Sequence, residues 1–219
     1  MSDWSFTVLD IAPTPYAAVP ELTARLRVEE SSGLRVHAVA LRAQVRIEPQ
    51  RRGYTADDEP GLRALFGDRE RWPQTLRPFQ WMQCQALVPG FTGVTEADLA
   101  LPVTYDFDVV GSRYLHALGE GTVPLSLLFS GTVFSVGEQG FSVRQVPWDC
   151  AATYAMPVQV WRDLVGRFYP RSGWLRLDHD VVAALGDYRA RHGLISWEET
   201  VTRLLADAER PLPLDGAAP

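Results

Sequence analysis

Val39-Ala40-Leu41-Arg42-Ala43-Gln44-Val45-Arg46-Ile47 alternates without a break: Val39, Leu41, Ala43, Val45 and Ile47 are apolar, and three of the four residues between them are polar. Successive side chains of a strand point to opposite faces, so the run predicts a strand with one buried and one wet face. The same period marks Leu22, Ala24, Leu26 and Val28, set between Thr23, Arg25, Arg27 and Glu29. Ser31-Ser32-Gly33 supplies turn chemistry between the two runs, so they are expected to pair as a hairpin. On that reading Arg25, Arg27, Arg42 and Arg46 share one outward face, where planar guanidinium groups could hold a locally acidic protein partner. The plainer reading of the same face is a solvated, mixed-charge one, with Glu29 and Glu48 among the arginines.

Outward from this pair, the pattern stays strand-like as far as Val146. Phe79 to Val88, the alternation Val103, Tyr105, Phe107 and Val109, and the apolar run Val123 to Val136 all read as strands. Pro89-Gly90-Phe91-Thr92-Gly93 reads as a loop. At Ser130-Gly131 the pattern reads as a slip of phase from Phe129 to Thr132, Phe134 and Val136, which predicts a β-bulge at the glycine. Gly137 to Gly140 then turns the chain into Phe141 to Val146. A short helical insertion is expected near residues 57–67, with Thr55 as its cap, Leu62, Leu65 and Phe66 inward and Gly67 as its stop. Ser112 to Leu118, with Tyr114, reads as a corner between sheets.

After Pro157 the period becomes 3.6. Val158, Trp161, Leu164, Val165 and Phe168 form one stripe, and Pro170 ends it. Further helices are expected from Asp180 to Gly193 and from Ser196, where Ser196 and Glu199 make a capping box. The fold class expected is therefore mainly β: an antiparallel, Ig-like β-sandwich with a C-terminal helical appendage, with α+β as the alternative. The sandwich would occupy residues 1–155, the appendage packed on it residues 156–208, and a frayed tail residues 209–219.

Composition narrows the chemistry. All 21 basic residues are arginine, and asparagine is absent too, as a GC-rich genome would produce. Without lysine there is no Walker lysine, Schiff base or Ser/Lys dyad. A formal charge of −6 argues against a duplex nucleic-acid partner. No apolar run approaches the roughly 20 residues that cross a bilayer, and the start Met1 to Phe6 lacks a basic segment followed by an apolar one, so a cytoplasmic location is expected.

Each candidate for chemistry has a simpler explanation. Asp178-His179-Asp180 could be a metal or acid–base cluster, but it also fits the acidic start of a helix. His37, His116, His179 and His192 are isolated from one another, and the two cysteines, Cys84 and Cys150, form no CxxC, so no metal or cofactor is expected. Ser130 and Ser142 fit no nucleophile elbow. Cys150 would need an unassigned histidine to act as a nucleophile, and Asp57, Asp58 and Glu59 read as helix-start acids. Trp72, Trp81 and Trp174, beside arginine- and proline-rich loops, could contact a sugar or a partner, although most of the seven tryptophans fit core packing. No catalytic residue is assigned.

The runs Val36 to Arg52, Leu65-Phe66-Gly67, Val88 to Thr92, Tyr105-Asp106-Phe107, Pro124 to Phe134 and Val146-Pro147-Trp148 resemble an uncharacterised actinobacterial family of unknown function over nearly the whole chain. The resemblance supplies no catalytic residues. Members are often encoded beside uptake nickel-iron hydrogenases, which implies an accessory or scaffolding role with a hydrogenase subunit or maturation factor as protein partner. Two other readings stay open: a β-sandwich module holding a small ligand between aromatic loops, and a hydrolase whose residues converge only in the fold.

Overall fold

A computed structural model describes residues 3–104, 109–137, 140–170, 172 and 175–209. Its strands form two antiparallel sheets. In the first, β1 (Trp4–Pro13), β2 (Glu21–Glu30) and β5 (Val94–Pro102) lie in the order β1-β2-β5. The second joins β4 (Phe79–Phe91), β3 (Val36–Ile47), β6 (Thr122–Gly137) and β7 (Gly140–Gln145) in the order β4-β3-β6-β7, and β8 (Ala151–Pro157) continues beside β7 on the other half of β6.

The period-two residues do what their spacing requires. Leu22, Ala24, Leu26 and Val28 of β2 and Val39, Leu41, Ala43, Val45 and Ile47 of β3 are buried in one shared core. Phe6 of β1 stacks on Phe129 of β6 with ring centroids 4.4 Å apart, so the two sheets face each other across that core. The fold is a mainly β, antiparallel sandwich. In the lettering of Ig-like domains its sheets read A-B-E and C′-C-F-G, with β8 following G.

This order overturns the expected hairpin. β2 pairs with β1 and β5, and β3 pairs with β4 and β6, so Ser31 to Arg35 carries the chain from one sheet to the other. The buried Glu30 carboxylate shapes that crossing by accepting hydrogen bonds from the Ser32 and Leu34 N–H groups. The chain crosses back between β4 and β5, and a third crossing follows β5. There the chain forms α3 (Val110–Ala117) instead of the strand expected to end at Val109, and residues 105–108 of that expectation lie outside the described residues. α3 serves the corner role, with Tyr114 fully buried.

Other expectations shift as well. β4 runs through Pro89, Gly90 and Phe91, so only Thr92 and Gly93 turn the chain into β5. β1, β5 and β8 add to the expected strands; β1 carries a readable alternation of Trp4, Phe6 and Val8 with Ser5 and Thr7, whereas β5 and β8 are built mostly of small or polar residues. The bulge is absent from Gly131: the β3–β6 register runs unbroken through Leu41–Gly131 and Arg42–Ser130, and Val133 and Ser135 take the buried positions while Phe134 and Val136 face outward. The glycine is needed for another reason. Its φ is +150°, and a Cβ there would collide with the Ala40 carbonyl of β3. The expected turn between β6 and β7 falls on residues 138–139, outside the described residues.

α1 (Glu59–Phe66) buries Leu62 and Phe66 and ends at Gly67, whose φ of +77° only glycine adopts cheaply. α2 (Trp72–Thr75) follows. α4 (Val158–Phe168) buries Val158, Trp161 and Leu164 on the expected stripe. The chain divides into two compact units, Met1–Trp174 and Leu175–Pro219, with α4 in the first. In the second unit, α5 (His179–Arg191) and α6 (Trp197–Ala208) pair through Tyr188 Oη donating to Asp207. Ser196 accepts from the Glu199 N–H as its capping box requires. The expected frayed tail, from residue 210 on, lies outside the described residues, as does Trp174.

Candidate functional site

The four arginines of the expected patch do point outward, but from opposite sides of the sandwich, because β2 and β3 belong to different sheets. On the three-stranded sheet, Arg25 Nε donates to Glu96 Oε2 at 2.8 Å and Arg27 lies 3.8 Å from Glu96 Oε1. Glu96 stands directly opposite Arg27 on β5, and one acid thus holds both cations. Arg42 and Arg46 of β3 have no ion-pair partner among the described residues.

Around Arg42 the register builds a polar field. Gln85 of β4 and Ser130 of β6 flank it directly, and Gln83 and Gln44 form the next row. These residues line an open depression of about 570 Å³. Gln44 Nε2 donates to Gln80 Oε1 at 2.6 Å. Arg42, Gln83, Gln85 and Ser130 keep their side-chain donors unbound among the described residues. Beneath the field lies the buried Cys84 thiol, pushed up to about 11 by burial and so protonated and inert at neutral pH.

Towards the other end the same face turns apolar. Leu87, opposite Ala40, is 73% exposed, and Phe141 and Val143 of β7 are 62% and 55% exposed. Phe134 stacks on Phe141 with centroids 6.0 Å apart, and His37 meets Phe141 edge-on at 6.5 Å. Arg42, the amides and Leu87 thus lie side by side on the outer face of the five-stranded sheet, and the aromatic group of β6 and β7 lies further along that face. Sequence reasoning found Arg42 and Arg46 but missed Gln83, Gln85, Leu87, Phe141 and Val143. The alternation of Gln83, Gln85 and Leu87 with Cys84 and Ala86 was the available signal.

A second polar cluster is structural. Asp58 precedes α1 and is 1% exposed; it accepts from the Thr55 and Gly119 N–H groups at 2.9 and 2.8 Å and pairs with the largely buried Arg52. Burial alone would raise its pKa, but those hydrogen bonds and the Arg52 charge hold it below the usual carboxylate value. Arg52 in turn donates to the Thr122 and Glu120 carbonyls, and Tyr54 Oη lies 2.8 Å from Tyr114 Oη. Every polar atom in this cluster is occupied, so it pins the residues before α1 to the segment before β6. Asp58 thus stands at the helix start, as expected of these acids, and takes the cap position expected of Thr55, while its side chain bonds Thr55 and Gly119 and no N–H of the helix.

The remaining candidates disperse. Asp178 to Asp180 stand exposed at the start of α5, where acids suit the helix dipole. His37 lies on β3, His116 on α3, and His179 and His192 in the second unit. Among the described residues no three His, Cys, Asp or Glu side chains gather closely enough to hold a metal ion. Ser142 Oγ lies 2.7 Å from Ser135 Oγ, Cys150 is buried, and Trp72 is buried with its indole N–H bonded to the Gly67 carbonyl. Trp81 packs against Gly111 of α3. No helix among the described residues is long and apolar enough to cross a membrane.

Comparison with known proteins matches residues 1–212 to a family described as "Family of unknown function (DUF6084)". The chain belongs to this family. The DUF6084 match spans the sandwich and most of the second unit, in keeping with the expected resemblance to an uncharacterised family. No curated protein matches the chain. Among solved structures it is similar to a β-glucosidase from Kluyveromyces marxianus at 7% identity and a TM-score of 0.23, covering 70% of this chain and 15% of that one. A likeness that distant carries no functional argument.

Proposed function

We propose that this protein is a non-catalytic accessory or scaffolding protein that docks a protein partner on the outer face of its five-stranded sheet. The observation that supports this most is the exposure of Leu87 next to the unpaired Arg42, with exposed Phe141 and Val143 further along the same face. Aromatic residues and arginine bury much area at little rotamer cost and are the side chains that most often anchor interfaces. The family resemblance suggests a hydrogenase subunit or maturation factor as the partner, met in an actinobacterial cytoplasm. The test is capture from the native host by tagged wild type and by a Leu87→Glu, Phe141→Glu double variant, with quantitative mass spectrometry of both. Loss of one near-stoichiometric protein from the variant, with an unchanged circular-dichroism spectrum, supports the reading; equal recovery of that protein rejects this face.

A further inference from the structure

Resting on that docking reading, we propose that the partner presents an extended acidic segment whose carboxylates seat on Arg42 and Arg46. Charge complementarity is the first argument. On the opposite sheet Arg25 and Arg27 are neutralised by Glu96, whereas the docking face leaves two guanidinium groups unpaired in a chain of net charge −6. Free cations on an otherwise acidic protein select an anionic segment, while the net charge of −6 on each chain disfavours a second copy.

Geometry gives the second argument. Arg42 and Arg46 lie on the same side of one strand four positions apart, about 13 Å at the rise of a β-strand. That distance matches acids at positions i and i+4 of an extended peptide. A guanidinium forks onto a carboxylate with two parallel hydrogen bonds. Gln85 and Ser130 directly flank Arg42, and Gln83 lies one row away, so their donors are available for the other carboxylate lone pairs and the peptide carbonyls. Leu87 stands opposite Ala40, two positions before Arg42 on the same face, and takes an apolar residue of the segment beyond the acid on Arg42.

The probe is the blocked peptide Ac-Glu-Val-Thr-Val-Glu-NH2, titrated into isotope-labelled full-length protein and followed by amide chemical shifts. The expected result is millimolar, salt-sensitive binding whose shifts cluster on β3, β4 and β6 around Arg42. Arg42→Gln with Arg46→Gln should weaken it roughly tenfold, because the two changes remove two solvent-exposed, charge-assisted contacts. Arg42→Lys should restore only part of the loss, because an ammonium cannot fork. Equal binding of the glutamine analogue, equal shifts with inorganic phosphate, or no effect of the arginine changes would overturn the inference. In the capture experiment, loss of the partner from the Leu87→Glu, Phe141→Glu variant but full capture by the arginine double variant overturns this inference alone and leaves the docking reading standing.

Discussion

Replacing Phe129 by alanine tests whether the two sheets face each other as described. The ring is 2% exposed, lies inward on β6 opposite Ala43 of β3, and stacks on Phe6 of the other sheet at 4.4 Å with an interplanar angle of 17°. Its neighbours are strand backbones tied into ladders and cannot collapse into the space, so the variant loses both transfer energy and packing. Phe→Ala at such a site costs about 3–5 kcal/mol. With a urea slope of about 2 kcal/mol per molar, the midpoint of sandwich unfolding should fall by about 1.5–2.5 M. Phe6→Ala should cost a comparable amount, and the double variant less than the sum, because the stack itself contributes about 0.5–1.5 kcal/mol. The assay is urea unfolding of the four proteins followed by near-ultraviolet circular dichroism. A midpoint that does not move, or two costs that simply add, would refute the facing of β1 and β6.

Four further outcomes follow from the same geometry. Asp58→Asn should cost about 1.5–3 kcal/mol at neutral pH by breaking charged hydrogen bonds; because the folded pKa is lowered, the wild-type advantage is full above the ordinary carboxylate range and disappears as pH falls through the folded value, which urea midpoints at stepped pH check. Gly131→Ala should destabilise by about 1–3 kcal/mol in thermal melts, since the new methyl meets the Ala40 carbonyl. Cys84, buried and with its thiol pushed up to about 11, should resist iodoacetamide at pH 8 in the native protein and react fully in denaturant, as peptide mapping would read. Glu96→Gln should free Arg25 and Arg27 yet leave partner capture unchanged, and a rise in capture would move the site to the three-stranded sheet.

The residues that face inward could be read from period two, because the alternation in β2 and β3 fixes which side of each strand is apolar. Which strand sits beside which could not. A five-residue link can close a hairpin or cross a sandwich, and the crossing here is set by the buried Glu30 binding the link's own N–H groups, a contact with no periodic signature. An Ig-like order in fact requires a crossing between the second and third strands, so the two sequence expectations were in conflict. β8 was illegible because its run Ala151-Ala152-Thr153-Tyr154-Ala155 carries mostly small side chains, and its place was held by pairing with β6. For the candidate site, the outward direction of Arg42 and Arg46 was legible, whereas its apolar half depends on β4 and β7 arriving on either side of the β3–β6 pair.

Splitting the four arginines between two faces alters what each pair can do. Exposed ion pairs such as Arg25–Glu96 contribute about 0–1 kcal/mol to stability, so their main effect is to cancel the charge that an approaching anion would sense. A partner docking there would have to displace Glu96 or meet a face near neutrality. Arg42 imposes no such exchange, since its direct neighbours Gln85 and Ser130 add donors without adding an acid; Arg46 stands opposite Ser126, whose hydroxyl donates to Glu48, and makes no ion pair with that acid. The same residue type at the same strand period is therefore spent on one side of the sandwich and available on the other. The difference lies in the acids that the three-stranded sheet sets against β2, Glu96 opposite Arg27 with Asp98 and Asp10 opposite Arg25, a pairing that only the sheet order reveals.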